Sequence, residues 1–225
     1  MNSQYKLVVT IADYSLHDKL LQVMRQYTLL PKAATHGQGF ADSELLEVLG
    51  FSENRKAVAL FTMDHRLISG YYEALETSLR ISKKGMGIAF TVPVSASSGF
   101  CGKLMQLTAA QALKEETQPM AEQFQYTHEL IIAIVTRGNA EQVKEAAKKS
   151  GARGGTMLHG LGMGGEEAAR FLGISIQEEK DVVMMVVPRE DRAAVMQAIV
   201  DACGIENEAR GICFSMPVDS AVGLR

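Results

Sequence analysis

Gly87-Ile88-Ala89-Phe90-Thr91-Val92-Pro93-Val94 and Gly211-Ile212-Cys213-Phe214-Ser215-Met216-Pro217-Val218 are the two stretches from which the fold is read. An offset of 124 residues carries the first onto the second. Upstream, an offset of 123 carries His36-Gly37-Gln38-Gly39 onto His159-Gly160-Leu161-Gly162, and Leu49-Gly50-Phe51-Ser52 onto Leu172-Gly173-Ile174-Ser175. A single inserted residue, near positions 176–179, reconciles the two offsets. One insertion across about 95 aligned positions is too orderly for glycines matched by chance. The chain reads as two copies of one domain, residues 1–100 and 128–225, joined by residues 101–127.

Each copy reads strand, helix, strand, short helix, strand, helix, strand. The first strands, residues 6–12 and 129–135, are rich in Val, Ile and Leu. The first helix places Leu16, Leu20, Val23, Met24 and Tyr27 on one face, at helical spacing. In the second copy Asn139 fits an N-cap and Gly151 the residue just past a helix end. Third strands at 56–63 and 180–187 precede helices whose core stripes are read as Ile68, Tyr72, Leu75, Leu79 and as Val195, Ile199, Ala202. The last strands end at Pro93 and Pro217, where the missing N–H interrupts a ladder. Setting the short helix aside, the order is βαββαβ, a ferredoxin-like α+β fold repeated in tandem. Residues 103–117 read as a linker helix stopped by Pro119.

Such a fold lays its helices on one sheet face. Yet residues 130–135 and 182–187 are apolar at every position, the pattern of strands buried on both faces. Either the copies cover each other or chains associate. The 225 residues carry a net charge of −3, with +1 on residues 1–100 (10 basic, 9 acidic) and −3 on residues 128–225 (11 basic, 14 acidic), so neither copy is a nucleic-acid module. The six-residue apolar runs are far short of the roughly 20 residues of a membrane span, and no signal-peptide pattern opens the chain. Three cysteines without CxxC spacing exclude a disulfide framework. A cytoplasmic protein is expected.

Several residues could carry chemistry. Gly160-Leu161-Gly162-Met163-Gly164-Gly165 satisfies G-x-G-x-x-G before a short helix, 166–172. Against a dinucleotide site, the first copy lacks the third glycine, and the motif follows the second strand of its unit rather than the first. A glycine-rich turn holding no ligand explains it as well. His36 and His159 sit beside these glycines without a second ligand at metal spacing, so no metal site is read there. No nucleophile elbow, P-loop or H-E-x-x-H motif is present, and the chain does not read as an enzyme. A second loop precedes each last strand: Ser82-Lys83-Lys84-Gly85-Met86-Gly87, and Glu206-Asn207-Glu208-Ala209-Arg210-Gly211. Two lysines among glycines suit an anion. A solvated turn suits the same composition.

Taken together the motifs resemble a known family. Gly151-Ala152-Arg153-Gly154-Gly155-Thr156, His159-Gly160-Leu161-Gly162, Val186-Val187-Pro188 and Gly211-Ile212-Cys213-Phe214 follow the strand at 129–135. This is similar to the PII-type nitrogen-regulatory signal-transduction proteins, in which G-x-x-G-x-T leads to K-G-x-G, a mobile T-loop, V-V-P and a B-loop entering G-x-I-F. The first copy resembles them more distantly, through His36-Gly37-Gln38-Gly39, Gly85-Met86-Gly87 and Phe90. The resemblance implies two tandem PII-like domains and a homotrimer whose sheets line the interior. It also implies sensing of a small-molecule effector, an adenine nucleotide, in clefts between subunits. That state would pass to a regulated protein partner, either an enzyme or a membrane transporter. Carried over by position, the implied ligand-binding residues are Gly37, Gly39, Gly85 and Gly87 in the first copy and Gly160, Gly162 and Gly211 in the second; the neighbouring His36, Lys83, Lys84, His159 and Arg210, read from the loops themselves, complete the expected ligand-binding set. Ile88 and Ile212 stand where the family has a lysine after the B-loop, and neither T-region carries a tyrosine to accept a uridylyl group. The competing reading is a tandem ACT-like amino-acid-binding module or a purely structural one, also βαββαβ. The short helices at 44–49 and 166–172 are expected to move on ligand binding, displaying Phe40, Phe51 and Phe171.

Overall fold

The structure is a computed structural model and describes residues 5–27, 33–41, 55–94, 110, 126–161 and 179–224. The short helices expected at 44–49 and 166–172, most of the linker, Phe51, Phe171 and Gly162 lie outside the described residues. The chain falls into two compact units. The first comprises Met1–His36, Arg55–Thr127 and Pro217–Arg225, and the second Gly37–Asn54 and His128–Met216.

In the first unit β1 (Tyr5–Asp13) leads through a 3-10 turn (Tyr14–Leu16) into α1 (His17–Tyr27). After β2 (Ala33–Ala41) come β3 (Arg55–Asp64), α2 (Ile68–Leu79) and β4 (Gly87–Pro93). β1 is central, antiparallel to β3 from Tyr5↔Asp64 to Asp13↔Lys56 and to β4 from Lys6↔Pro93 to Ala12↔Gly87. Alternation along the pleat sends Val8 and Ala12 toward the helices, into a core with Leu20, Val23, Met24, Phe61, Tyr71, Leu75 and Leu79. The α2 stripe is Ile68, Tyr71, Leu75 and Leu79, so Tyr71 replaces the expected Tyr72 at its centre. Both are tyrosines one position apart, and the sequence pattern does not choose between them. Tyr71 is fully buried with its hydroxyl 2.8 Å from Thr10 Oγ1.

The first unit is completed from far along the chain. β9 (Ser220–Val222) pairs antiparallel with the outer edge of β4, Ala89↔Val222, Phe90↔Ala221 and Thr91↔Ser220. Just before it, the buried Asp219 takes an ion pair from Lys6 Nζ and a hydrogen bond from Thr91 Oγ1. The Tyr72 hydroxyl reaches Ser220 Oγ at 3.0 Å and donates to its carbonyl at 3.2 Å. Tyr72, displaced from the core stripe, thus helps to fasten this strand, together with Thr91, whose Oγ1 lies 2.7 Å from Ser220 Oγ.

The second unit contains β5 (His128–Thr136), α3 (Ala140–Lys149), β6 (Gly154–Leu161), β7 (Glu179–Pro188), α4 (Arg192–Cys203) and β8 (Ile212–Val218). Its strand order is β8-β5-β7-β6-β2. β5 and β6 each pair antiparallel with β7, and β2 pairs antiparallel with β6, Gln38↔Met157 to Ala41↔Gly154. Ile131, Ala133 and Val135 face the helices with Val143, Ala147, Val183, Met185, Val195 and Ile199. On α4 the stripe is Val195, Ile199 and Cys203, spaced four apart; the expected Ala202 is exposed. Asn139 stands at the N-cap of α3, but its side chain donates back to the Thr136 carbonyl at 3.0 Å rather than capping. Gly151 follows the helix at φ 107°, as expected of a residue just past its end.

The faces turned away from the helices differ between the units. In the first, Val9, Ile11, Val58, Phe90 and Val92 are buried. In the second, Leu130 and Met184 are buried, Ile132, Ile134, Val182 and Val186 are half-buried, and Ile212 and Phe214 are exposed.

Candidate functional site

Asp13 organises one end of the first unit. Its backbone N–H donates to the Met86 carbonyl at 2.8 Å, which docks the glycine-bearing loop against the end of β1. Its carboxylate accepts from Ser15 N at 3.1 Å and Ser15 Oγ at 2.6 Å, and faces Lys56 Nζ at 3.7 Å. Burial alone would push the Asp13 carboxyl up. The Ser15 hydrogen bonds and the Lys56 charge outweigh it and hold the group below the ordinary range. Lys56 also donates to the Gly85 carbonyl at 3.4 Å, so one cation ties the loop to the strand.

The loop is two successive turns. Arg80 ends α2 in the left-handed region at φ 52°, Lys83 N donates to Arg80 O at 2.9 Å, and Met86 N donates to Lys83 O at 3.0 Å. Gly85, at φ 84°, supplies the positive φ that the second turn needs. Gly87 has a different reason to be glycine, because a Cβ there would fall on the Ile11 carbonyl oxygen. Lys83 and Lys84 are exposed, and neither has an ion-pair partner among the described residues.

Tyr14, next to Asp13, connects this loop to His36. The rings of Tyr14 and His36 lie 4.9 Å apart, His17 stacks on His36 at 6.0 Å, and the Arg55 guanidinium sits 4.7 Å over the Tyr14 ring. His36 itself is exposed. The Asp13-Tyr14 and Arg55-Lys56 pairs therefore bring His36 and the lysine loop to one corner. All four were missed by motif reading, although Lys56 and Lys180 match at the offset of 124 and could have been found there.

Gly37 and Gly39 belong to the second unit and are strand residues, not turn residues; Gly39 pairs with Thr156. A Cβ on Gly37 would stand 2.7 Å from Thr156 Cγ2 and 2.9 Å from Leu158 Cδ2, so strand packing accounts for that glycine. Gly160 lies in β6, opposite Lys180.

The corresponding corner of the second unit is built from ion pairs. His159 Nδ1 is 2.7 Å from Asp181 Oδ1, and the buried Asp181 accepts from Gly138 N at 2.8 Å. Arg137 pairs with Glu179. By the two offsets these residues fall on Tyr14 (for Arg137), Arg55 (for Glu179) and Ala57 (for Asp181). Among the described residues His36 has no acidic partner, whereas His159 has Asp181. Arg210 is exposed at φ 44°, its N–H on Asn207 O at 2.9 Å, with Glu206 and Glu208 exposed beside it. A Cβ on Gly211 would fall on the Cys203 carbonyl oxygen, so this glycine too is required by packing. Among the described residues no three His, Cys, Asp or Glu side chains could hold a metal ion together, and no helix is long and apolar enough to cross a membrane.

This arrangement, with a split βαβ and glycine-bearing loops at one end, can be compared with known proteins. Residues 128–225 match the family model of nitrogen regulatory protein P-II. That part of the chain carries the PII-like ferredoxin-type α+β fold, and the match does not extend over residues 1–127. No curated protein matches the chain. Among solved structures, the crystal structure of Arabidopsis thaliana PII bound to citrate is similar at 22% identity and a TM-score of 0.33, covering 41% of this chain and 76% of that one.

Proposed function

We propose that this chain is a PII-like signal-transduction protein with two PII-like domains, residues 1–100 and 128–225. It senses a small anionic metabolite of the adenine-nucleotide class and regulates a protein partner, an enzyme or a membrane transporter. It works as a cytoplasmic homotrimer with its ligand in clefts between subunits, and it is not an enzyme. The family match over residues 128–225 supports the class. The repeated motifs support a second domain at 1–100.

The observation that carries the ligand site is the contrast in charge between the two corners. In the first unit Lys83 and Lys84 project from a loop pinned by Asp13 and Lys56, with no carboxylate paired to them among the described residues. In the second unit Arg137 and His159 are engaged by Glu179 and Asp181, and Arg210 follows Glu206 and Glu208 in the same loop. An incoming phosphate meets two adjacent cations in the first unit and, in the second, a loop whose one cation shares it with two carboxylates. Replacing both Lys83 and Lys84 by alanine is expected to weaken nucleotide binding at least tenfold, whereas Arg210→Ala changes it little. Isothermal titration measures both. The reverse order would move the sensor to the second unit. A thermal-shift panel of adenine nucleotides, cyclic nucleotides and amino acids identifies the class, since a ligand at 100 times its Kd stabilises by about 2.7 kcal/mol. A shift with amino acids alone would replace this reading by the ACT-like one.

A further inference from the structure

α2 and α4 end in different ways. α2 stops at Arg80 in the left-handed region, φ 52°, and Ile81 then turns into the core at 0% exposure. At the offset of 124 these two residues fall on Gly204 and Ile205. Glycine adopts the left-handed form most readily, yet Gly204 is extended, at φ −65° and ψ 179°, and Ile205 is 63% exposed. A Cβ on Gly204 would stand 2.5 Å from the Val200 carbonyl oxygen, so this exit from the helix needs glycine. From the turn that follows, the core of the second unit takes Ala209. Backbone geometry therefore holds Ile205 in water.

The surroundings of Ile205 differ in the same direction. Glu76, exposed on α2, falls on Val200, which is 47% exposed on α4. Gly204 N donates to the Val200 carbonyl at 2.8 Å, which keeps Ile205 close to Val200. Ser82, Lys83 and Lys84 fall on Glu206, Asn207 and Glu208. From Ala193 to Ala209 there is no Lys or Arg, and Asp201, Glu206 and Glu208 are all exposed. The turn is fixed by its own bonds. Asn207 N donates to Gly204 O at 3.0 Å, Arg210 N to Asn207 O at 2.9 Å, and Asn207 Nδ2 to the Asp201 carbonyl at 3.0 Å. Two large apolar side chains thus stand on an ordered helix end with carboxylates around them. An exposed apolar patch with a polar rim marks an interaction surface. The sign of the rim selects what covers it. Anionic lipid and nucleic acid are repelled, whereas cations beside an apolar anchor are attracted.

We propose that Val200 and Ile205 form a docking surface for a protein partner whose recognised segment carries apolar side chains flanked by Lys or Arg. The apolar pair supplies the contact area. Asp201, Glu206 and Glu208 orient the segment and speed its encounter. The surface lies within the second unit and does not depend on nucleotide binding at the lysine loop.

The probe is a fluorescent amphipathic peptide of Leu and Lys at helical spacing. A Leu/Glu peptide of the same pattern and a Lys/Ser peptide are the controls. Fluorescence anisotropy with the full chain is expected to show saturable binding of the Leu/Lys peptide alone, weakening as salt rises. Val200→Glu combined with Ile205→Ser is expected to weaken it at least tenfold, and so is Glu206→Lys combined with Glu208→Lys. Glu73→Lys combined with Glu190→Lys makes the same change of net charge elsewhere and is expected to leave it unchanged. Should the Val200/Ile205 variant melt lower than the parent, Ile205→Gln, which keeps the side-chain length, takes its place. Failure of the Leu/Lys peptide to bind overturns the proposal. So does parent affinity in the Val200/Ile205 variant, or an equal loss in the Glu73/Glu190 control. If the Val200/Ile205 variant sediments differently with no peptide present, the occupant is a second copy of this chain and the proposal falls. Adenine-nucleotide titration of the same variants is expected to match the parent, which separates this surface from the sensor.

Discussion

Asp219 is buried with two donors on it, Lys6 and Thr91, and none of the three is accessible to water that could replace a lost partner. Asp219→Ala removes the carboxylate that the buried Lys6 and Thr91 share. Breaking one half of a buried pair costs about 3–5 kcal/mol. Urea unfolding is expected to show a loss of that size, larger than that of Asp219→Asn, which keeps an acceptor for Thr91. Tyr72 reports on the same place. Burial pushes its phenol up to about 12, above the ordinary value of about 10. The folded state therefore holds this proton when the unfolded chain has released it. Its contribution to stability is complete below about pH 10 and is lost as pH rises toward 12. Alkaline unfolding followed by tyrosinate absorbance checks the direction. In Tyr72→Phe that component of the pH dependence is expected to vanish. Acid acts through another residue. Burial would raise the Asp64 carboxyl, but hydrogen bonds and charge from Arg66 hold it below the ordinary range. Its contribution is present above about pH 4 and falls away as pH drops below it. Asp64→Asn is expected to flatten the acid limb of a stability curve.

At the scale of elements, the two loop glycines next to the last strands are closely enclosed by backbone, Gly87 by Ile11 and Gly211 by Cys203. Gly87→Ala is expected to displace the end of β1, because its Cβ would strike the Ile11 carbonyl. Lowered melting temperature with no ligand present is the readout; full stability combined with lost ligand binding would assign this glycine to the site instead. The central strands and the helix stripes at Leu20-Val23-Met24 and Val195-Ile199 were legible because period and apolarity agree there. The choice of Tyr71 over Tyr72 and of Cys203 over Ala202 was not, since neighbouring residues of similar type satisfy one pattern equally. The buried Lys6 was illegible for a different reason. Its partner lies 213 positions away, beyond any local window. At the site, the lysine loop was legible from composition, whereas Asp13 and Tyr14 were not. They act by docking the loop and stacking on His36, roles that no spacing rule encodes. The paired histidines looked equivalent in sequence and differ because Asp181 stands where the first repeat has Ala57.

For the whole molecule, the first unit includes Pro217–Arg225, so it is not a continuous piece of chain. A fragment of residues 1–127 lacks β9 and the Asp219 carboxylate and exposes the edge of β4. It is expected to be less stable than the intact chain or to aggregate, and a synthetic peptide of residues 217–225 added in excess is expected to raise its melting temperature. A fragment as stable as the intact chain would mean that β9 is dispensable. The same tail bears on how the protein is made. Ribosomes extend chains at about 5–20 residues per second and leave early domains to fold first. Here Lys6 emerges 213 residues before Asp219, an interval of roughly ten to forty-five seconds at those rates. Through that time the carboxylate that Lys6 meets in the folded unit is not yet made, and the edge of β4 that β9 covers stays open. The unit that leaves the ribosome first is the one that matures last.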